Sequence, residues 1–145
     1  MKMKKVLSLL AALSVLSAAF GQQKYANMNV EDFSAFIADE QVQLLDVRTA
    51  AEFASGHIEG ALLADMKSQD FLKTATAMLE KNRPVAVYCR SGKRSAAAAA
   101  KLAAEGYRVT NLRGGILAWT NLGLPTTPAE SAPESSKPSH PSKKH

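Results

Sequence analysis

Apolar positions along the middle of this chain follow two periods. Phe33, Phe36 and Ile37 fall on one side of a helix that Asn29 can cap, which predicts a helix over 30–38. A short, mostly apolar run at 42–47 predicts a buried strand. Thr49 can cap a brief helix reaching Phe53, and Gly56 ends it. A second short strand is predicted at 61–64. Ser68 then stands ahead of an amphipathic helix carrying Phe71, Leu72, Ala75, Met78 and Leu79. Pro84 opens an apolar strand over 85–88, and a loop over 89–94 leads into an alanine-rich helix over 95–105 with Gly106 as its C-cap. A strand over 109–112, a Gly114-Gly115 turn and a last helix over 116–121 with Trp119 inside it complete the pattern.

Strands alternating with helices at this spacing imply βαβ units around a small, mostly parallel sheet flanked by helices on both faces: an α/β fold. Strands covered on both faces need no polar alternation, and these show little. Such sheets bind ligands beyond the carboxyl ends of their strands. Cys89, directly after the 85–88 strand, stands at such an end.

The two ends of the chain read differently from its middle. Lys2, Lys4 and Lys5 precede an apolar run at 6–20, and Ala19-Phe20-Gly21 offers the small residues of a cleavage site. Residues 1–21 are therefore expected to be a signal peptide, leaving 22–28 as a linker and 29–125 as the domain. Export to a periplasm or secretion is the expected outcome, with no stable membrane insertion after cleavage. Residues 126–145 are dense in proline, serine and lysine, and are expected to be a disordered tail. Its His140 and His145 have no third ligand nearby, so no metal site is expected.

Charge narrows the possible partners. The whole chain carries a formal +5, but losing Lys2, Lys4 and Lys5 with no acidic residue brings it to +2. A near-neutral body argues against nucleic-acid binding, which needs a basic face. The positive charge is local instead: Arg90, Lys93 and Arg94 lie within six residues of Cys89. Nothing in the sequence suggests an obligate interface, so a monomer is expected.

Cys89 is the only cysteine and opens the run Cys89-Arg90-Ser91-Gly92-Lys93-Arg94-Ser95. A single cysteine in an exported chain cannot form an internal disulfide, so a reactive thiol is one of few uses left for it. Backbone N–H groups after a strand can curl into an anion nest, and Ser91 and Gly92 tolerate the tight turns this requires. The following helix points its positive end at the loop. A free thiol with pKa about 8.5 is only a few per cent ionised at neutral pH, so such a cradle would raise its thiolate fraction considerably. This chemistry also demands a sulfur that is not sealed away from its donor.

Four stretches in order resemble the rhodanese family of sulfurtransferases. They are Leu45-Asp46-Val47-Arg48; Glu52-Phe53 with Gly56-His57-Ile58 and Gly60-Ala61; the run Tyr88 to Ser95; and Asn111-Leu112 with Gly114-Gly115 and Trp119. The resemblance implies a rhodanese-like fold and a persulfide mechanism. Cys89 would be the catalytic nucleophile. Arg90, Ser91, Gly92, Lys93, Arg94 and Ser95 would form the anion-binding loop, with Lys93 and Arg94 helping to bind the donor. Asp46 and Arg48 would brace the structure around it. The implied partners are small sulfur-containing anions such as thiosulfate, and thiophilic acceptors such as cyanide or thiols. No cofactor is implied.

Two other functions compete with this one. The same pocket would serve a sulfur carrier that does not turn over. A cysteine phosphatase or arsenate reductase is the other, but those loops commonly have the form C-x5-R, whereas Arg94 makes this one C-x4-R. His57 reads as a hydrogen-bonded structural histidine and Trp119 as core.

Overall fold

The computed structural model describes residues 24–129. The expected signal peptide, most of the tail, His140 and His145 lie outside the described residues. Five strands and five helices follow in the order β1 (Ala26–Met28), α1 (Val30–Ile37), β2 (Gln43–Asp46), α2 (Ala50–Ser55), β3 (Leu62–Leu63), α3 (Phe71–Met78), β4 (Val85–Tyr88), α4 (Lys93–Ala104), β5 (Val109–Leu112) and α5 (Gly115–Asn121).

The strands form one sheet in the order β1-β5-β4-β2-β3, and every pairing between them is parallel. Alternate residues of β4 serve opposite faces. Val85, Val87 and the following Cys89 join a core with Leu45, Phe71, Ala75, Ala98 and Leu102, under α3 and α4. Ala86 and Tyr88 join the other core with Phe33, Leu112, Ile116 and Trp119, under α1 and α5. The helix starts are fixed locally. Asn29 Oδ1 accepts from the Asp32 N–H at 2.9 Å, while Thr49 and Glu52 form a reciprocal capping box at the head of α2.

The structure departs from the sequence reading in four places. The expected linker contains β1, which pairs with β5 through Asn27 and Asn111. Helix α4 begins at Lys93 rather than at residue 95, because Gly92 takes the left-handed N-cap conformation at φ +98° and the chain turns helical immediately after it. Ser68 does not cap α3; Asp70 is the N-cap, and Ser68 Oγ accepts from its N–H at 3.2 Å. The chain also stays paired past Pro125: Thr127 and His57 exchange backbone hydrogen bonds of 2.9 and 2.8 Å, an antiparallel bridge that ties the first residues of the expected tail to the domain.

Candidate active site

Cys89 is the first residue beyond β4, at the carboxyl end of a central strand. Its Sγ accepts hydrogen bonds from the Gly92 N–H at 3.1 Å and from Ser95 Oγ at 3.3 Å. Burial by itself pushes the thiol pKa up. The Ser95 hydroxyl and the N–H groups of Ser95, Gly92 and Ser91 outweigh it, so the net shift is downward. Hydrogen bonds to an ionised acceptor are the strong kind, and those from Gly92 and Ser95 converge on one sulfur.

The loop can point its N–H groups inward because its carbonyls are held on the outside. The Cys89 carbonyl accepts from the Ile116 N–H at 2.9 Å and the Arg90 carbonyl from the Leu117 N–H at 3.2 Å. Two orphan donors in the first turn of α5 thus fix the peptide planes of the loop. This approach needs a residue without a side chain. A Cβ on Gly115 would overlap the Arg90 carbonyl and lie 2.6 Å from the Cys89 oxygen. Gly92 is confined in the same way, its absent Cβ facing Gly114 N at 3.2 Å and the Leu112 carbonyl at 3.3 Å.

The basic residues divide into two kinds. Arg90 and Lys93 are exposed, and neither enters an ion pair among the described residues. Arg94 turns to α2, where its Nη1 and Nη2 meet Glu52 Oε2 and Oε1 at 2.9 and 2.8 Å. Glu52 Oε2 also accepts from Thr49 N at 2.9 Å and Thr49 Oγ1 at 3.1 Å. Its carboxyl consequently lies well below the usual carboxylate range, the Arg94 bonds being the largest cause. The Arg94 guanidinium, expected to bind donor, is therefore already engaged by a carboxylate of the chain itself.

Ser91 is exposed, Gly92 half-buried and Ser95 fully buried. Asp46 and Arg48 form a buried pair at 2.7 Å, and Arg48 Nη2 also donates to the Gly56 carbonyl at 2.7 Å. The Arg48 guanidinium lies 5.7 Å from the centre of the Tyr88 ring, and the Tyr88 hydroxyl accepts from the Ile58 N–H at 3.0 Å. This pair braces the strand that carries Cys89 without touching the sulfur. His57 stacks on Phe53 with ring centres 3.7 Å apart, and its Nδ1 lies 3.0 Å from the Phe53 carbonyl. Trp119 is buried and donates from Nε1 to the Pro125 carbonyl at 2.9 Å.

Three features of the site had no reading in the sequence. One is the hold of α5 on the loop carbonyls. Another is the Glu52–Arg94 pair, of which only the capping signature Thr49-x-x-Glu52 is visible locally. The third is Asn111, whose Nδ2 donates to Asn27 Oδ1 at 3.1 Å and to the Gly92 carbonyl at 3.4 Å, joining β1 to the loop. One requirement is also unmet in this conformation. Cys89 is 0% exposed and belongs to the core under α3 and α4. A recess of about 500 Å³ does exist, lined by residues including Tyr25, Phe36, Tyr107 and Arg108, but it shares no residue with the Cys89 loop.

A parallel α/β sheet whose central strand ends in one thiol, held by a backbone amide and a hydroxyl, defines an α/β domain built around a single acidified cysteine. The profile of the family described as "Rhodanese-like domain" matches residues 29–122, and the chain belongs to that family. It is 46% identical over 102 residues to a sulfurtransferase of Allochromatium vinosum, covering 69% of this chain and 92% of that protein. It is 37% identical over 103 residues to thiosulfate sulfurtransferase 18 of Arabidopsis thaliana, covering 63% and 76%. The crystal structure of a rhodanese-related protein from Thermoplasma volcanium superposes with a TM-score of 0.63 at 30% identity, covering 71% of this chain and 98% of that one. The rhodanese-like α/β fold expected from the sequence is thus the fold observed. Kinship with sulfurtransferases supports sulfur transfer of the rhodanese type as the function.

Proposed function

We propose that this protein is an exported sulfurtransferase that moves a sulfane sulfur from a donor such as thiosulfate to a thiophilic acceptor through a Cys89 persulfide. The Cys89 thiolate attacks the outer sulfur of the donor. A new S–S bond forms at Cys89 while the donor S–S bond breaks, and sulfite leaves with that electron pair. The terminal persulfide sulfur then forms a bond to cyanide or a thiolate, and the Cys89 thiolate is regenerated as the persulfide bond breaks. The two half-reactions make ping-pong kinetics the expected pattern. Arg90 and Lys93 attract the anionic donor, while the amides around Gly92 carry the negative charge of thiolate and persulfide alike. The chemistry needs no metal or cofactor.

One observation carries this reading: Sγ of Cys89 accepts from the Gly92 N–H and Ser95 Oγ at the end of a central strand. Since the thiol is buried, the exposed face of the loop, from Arg90 to Lys93, must yield for a donor sulfur to reach it. That same burial favours a second reading, a carrier that takes up a sulfur but does not turn over. Intact mass of the mature protein, before and after thiosulfate, separates them. A mass gain of one sulfur, lost in Cys89→Ser and discharged by cyanide, is the expected result. A stable gain without discharge supports the carrier, and no gain with any sulfane donor overturns both. The same spectrum tests export, because cleavage near Gly21 removes a defined mass.

A further inference from the structure

A guanidinium is shaped to grip an oxyanion, and that of Arg94 already holds one. Glu52 occupies both of its terminal nitrogens, at 2.9 and 2.8 Å. The carboxylate is not free to swing aside, because Thr49 N and Thr49 Oγ1 hold Oε2 in the capping box of α2. The pair flanks the thiol: Arg94 lies between Gly92 and Ser95, both of which donate to Cys89 Sγ. Glu52 thus offsets the charge of Arg94. Arg90 and Lys93 remain as the exposed cations at the rim of the site.

From this we infer that Glu52 determines donor specificity, occupying the Arg94 fork and so biasing the site away from dianionic thiosulfate toward sulfane donors of lower charge, such as monoanionic thiosulfonates and organic persulfides. The inference rests on the sulfur-transfer reading of Cys89. With an aryl thiosulfonate the step is the same attack on the outer sulfur; the S–S bond breaks and an arylsulfinate leaves with the electron pair. Only one negative charge then approaches the thiolate instead of two.

The test compares thiosulfate with benzenethiosulfonate as donors to cyanide, in the native protein and in Glu52→Gln. Glutamine retains a capping-box side chain at this position while removing the charge. The ratio of kcat/KM for thiosulfate to that for benzenethiosulfonate should rise about fivefold in the variant, the size expected for one partly exposed charge, mainly through KM for thiosulfate. A residue that merely braced the loop would lower both donors together, so an unchanged or reduced ratio overturns the inference. No transfer from either donor by the native protein overturns the sulfur-transfer reading and this inference with it.

Discussion

The Ile116 N–H donates to the carbonyl of Cys89 at 2.9 Å, so the nucleophile's own peptide group is fixed by a helix from the far end of the domain. Gly115 makes that distance possible, since any Cβ there would collide with the Arg90 carbonyl. Gly115→Ala should therefore push α5 off the loop. Sulfur-transfer activity should fall at least about tenfold, with a loss of about 1–3 kcal/mol in stability typical of forced overpacking. Steady-state kinetics and urea unfolding of the variant check this. Unchanged activity would show that α5 does not position the loop.

The Cys89 thiol is more acidic than an ordinary thiol through bonds from Ser95, Gly92 and Ser91 acting against burial. The donor half-reaction should accordingly increase with pH through an inflection below that of a free cysteine and then level off. Ser95→Ala removes a bond to a charged acceptor worth about 1.5 kcal/mol, so it should move the inflection upward and cut the rate on its acidic side about tenfold. The pH profile of persulfide formation, followed by stopped flow, reads both effects. An inflection at the free-thiol position in the native protein would contradict the geometry.

Acidity and burial act against each other at this sulfur. With Cys89 fully covered, alkylation by iodoacetamide should run at least about tenfold slower than for an open thiol at the same thiolate fraction. Thiosulfate, attracted by Arg90 and Lys93, should protect against it. Rapid alkylation that thiosulfate leaves unaffected would mean that the loop stands open in solution.

The Glu52 carboxyl is held below its ordinary value of 4.5 by Arg94 first, despite an opposing effect of burial, with Thr49 assisting. The unfolded chain therefore takes up this proton before the folded one does. The pair's contribution is complete above about pH 4.5 and is lost as the pH falls toward the folded value. A partly exposed pair of this kind contributes about 1 kcal/mol. Denaturant unfolding between pH 7 and 3 should show that loss, and Glu52→Gln should flatten the acid limb by a similar amount. Identical acid limbs would remove the pair from the stability of the fold.

Asp46 and Arg48 differ from that pair in being buried. Asp46→Ala leaves an unpaired guanidinium beneath the sheet, and breaking a buried pair from one side costs about 3–5 kcal/mol. The variant should be strongly destabilised in urea, while any folded fraction keeps the native pH profile of sulfur transfer, because neither residue touches Cys89. A shifted profile would place the pair in the active site.

The central strands were legible from short runs between helical patterns: 42–47 and 85–88 read as apolar strands and 109–112 as a further strand, and they appear as β2, β4 and β5. β1 was not legible, since Ala26, Asn27 and Met28 are too few for any alternation to stand out and become a strand only by pairing with β5. The loop announced itself through Cys89 and its neighbours in sequence. What stayed hidden were contacts made across the chain: Glu52 lies 42 residues from Arg94 and Asn111 19 residues from Gly92. Gly114-Gly115 signalled a turn, but no local signal says that a turn must come within contact of a particular carbonyl. Burial of the thiol was hidden for the same reason, being set by how tightly the loop closes rather than by which residues compose it.

The sheet's outermost strands are also its shortest, three residues in β1 and two in β3. Few unpaired peptide groups are therefore presented along its borders, and a foreign strand would find little to extend. The longer ladders, rich in valine and leucine, are enclosed between neighbours. A domain arranged in this way keeps its most aggregation-prone segments out of reach for as long as it remains folded.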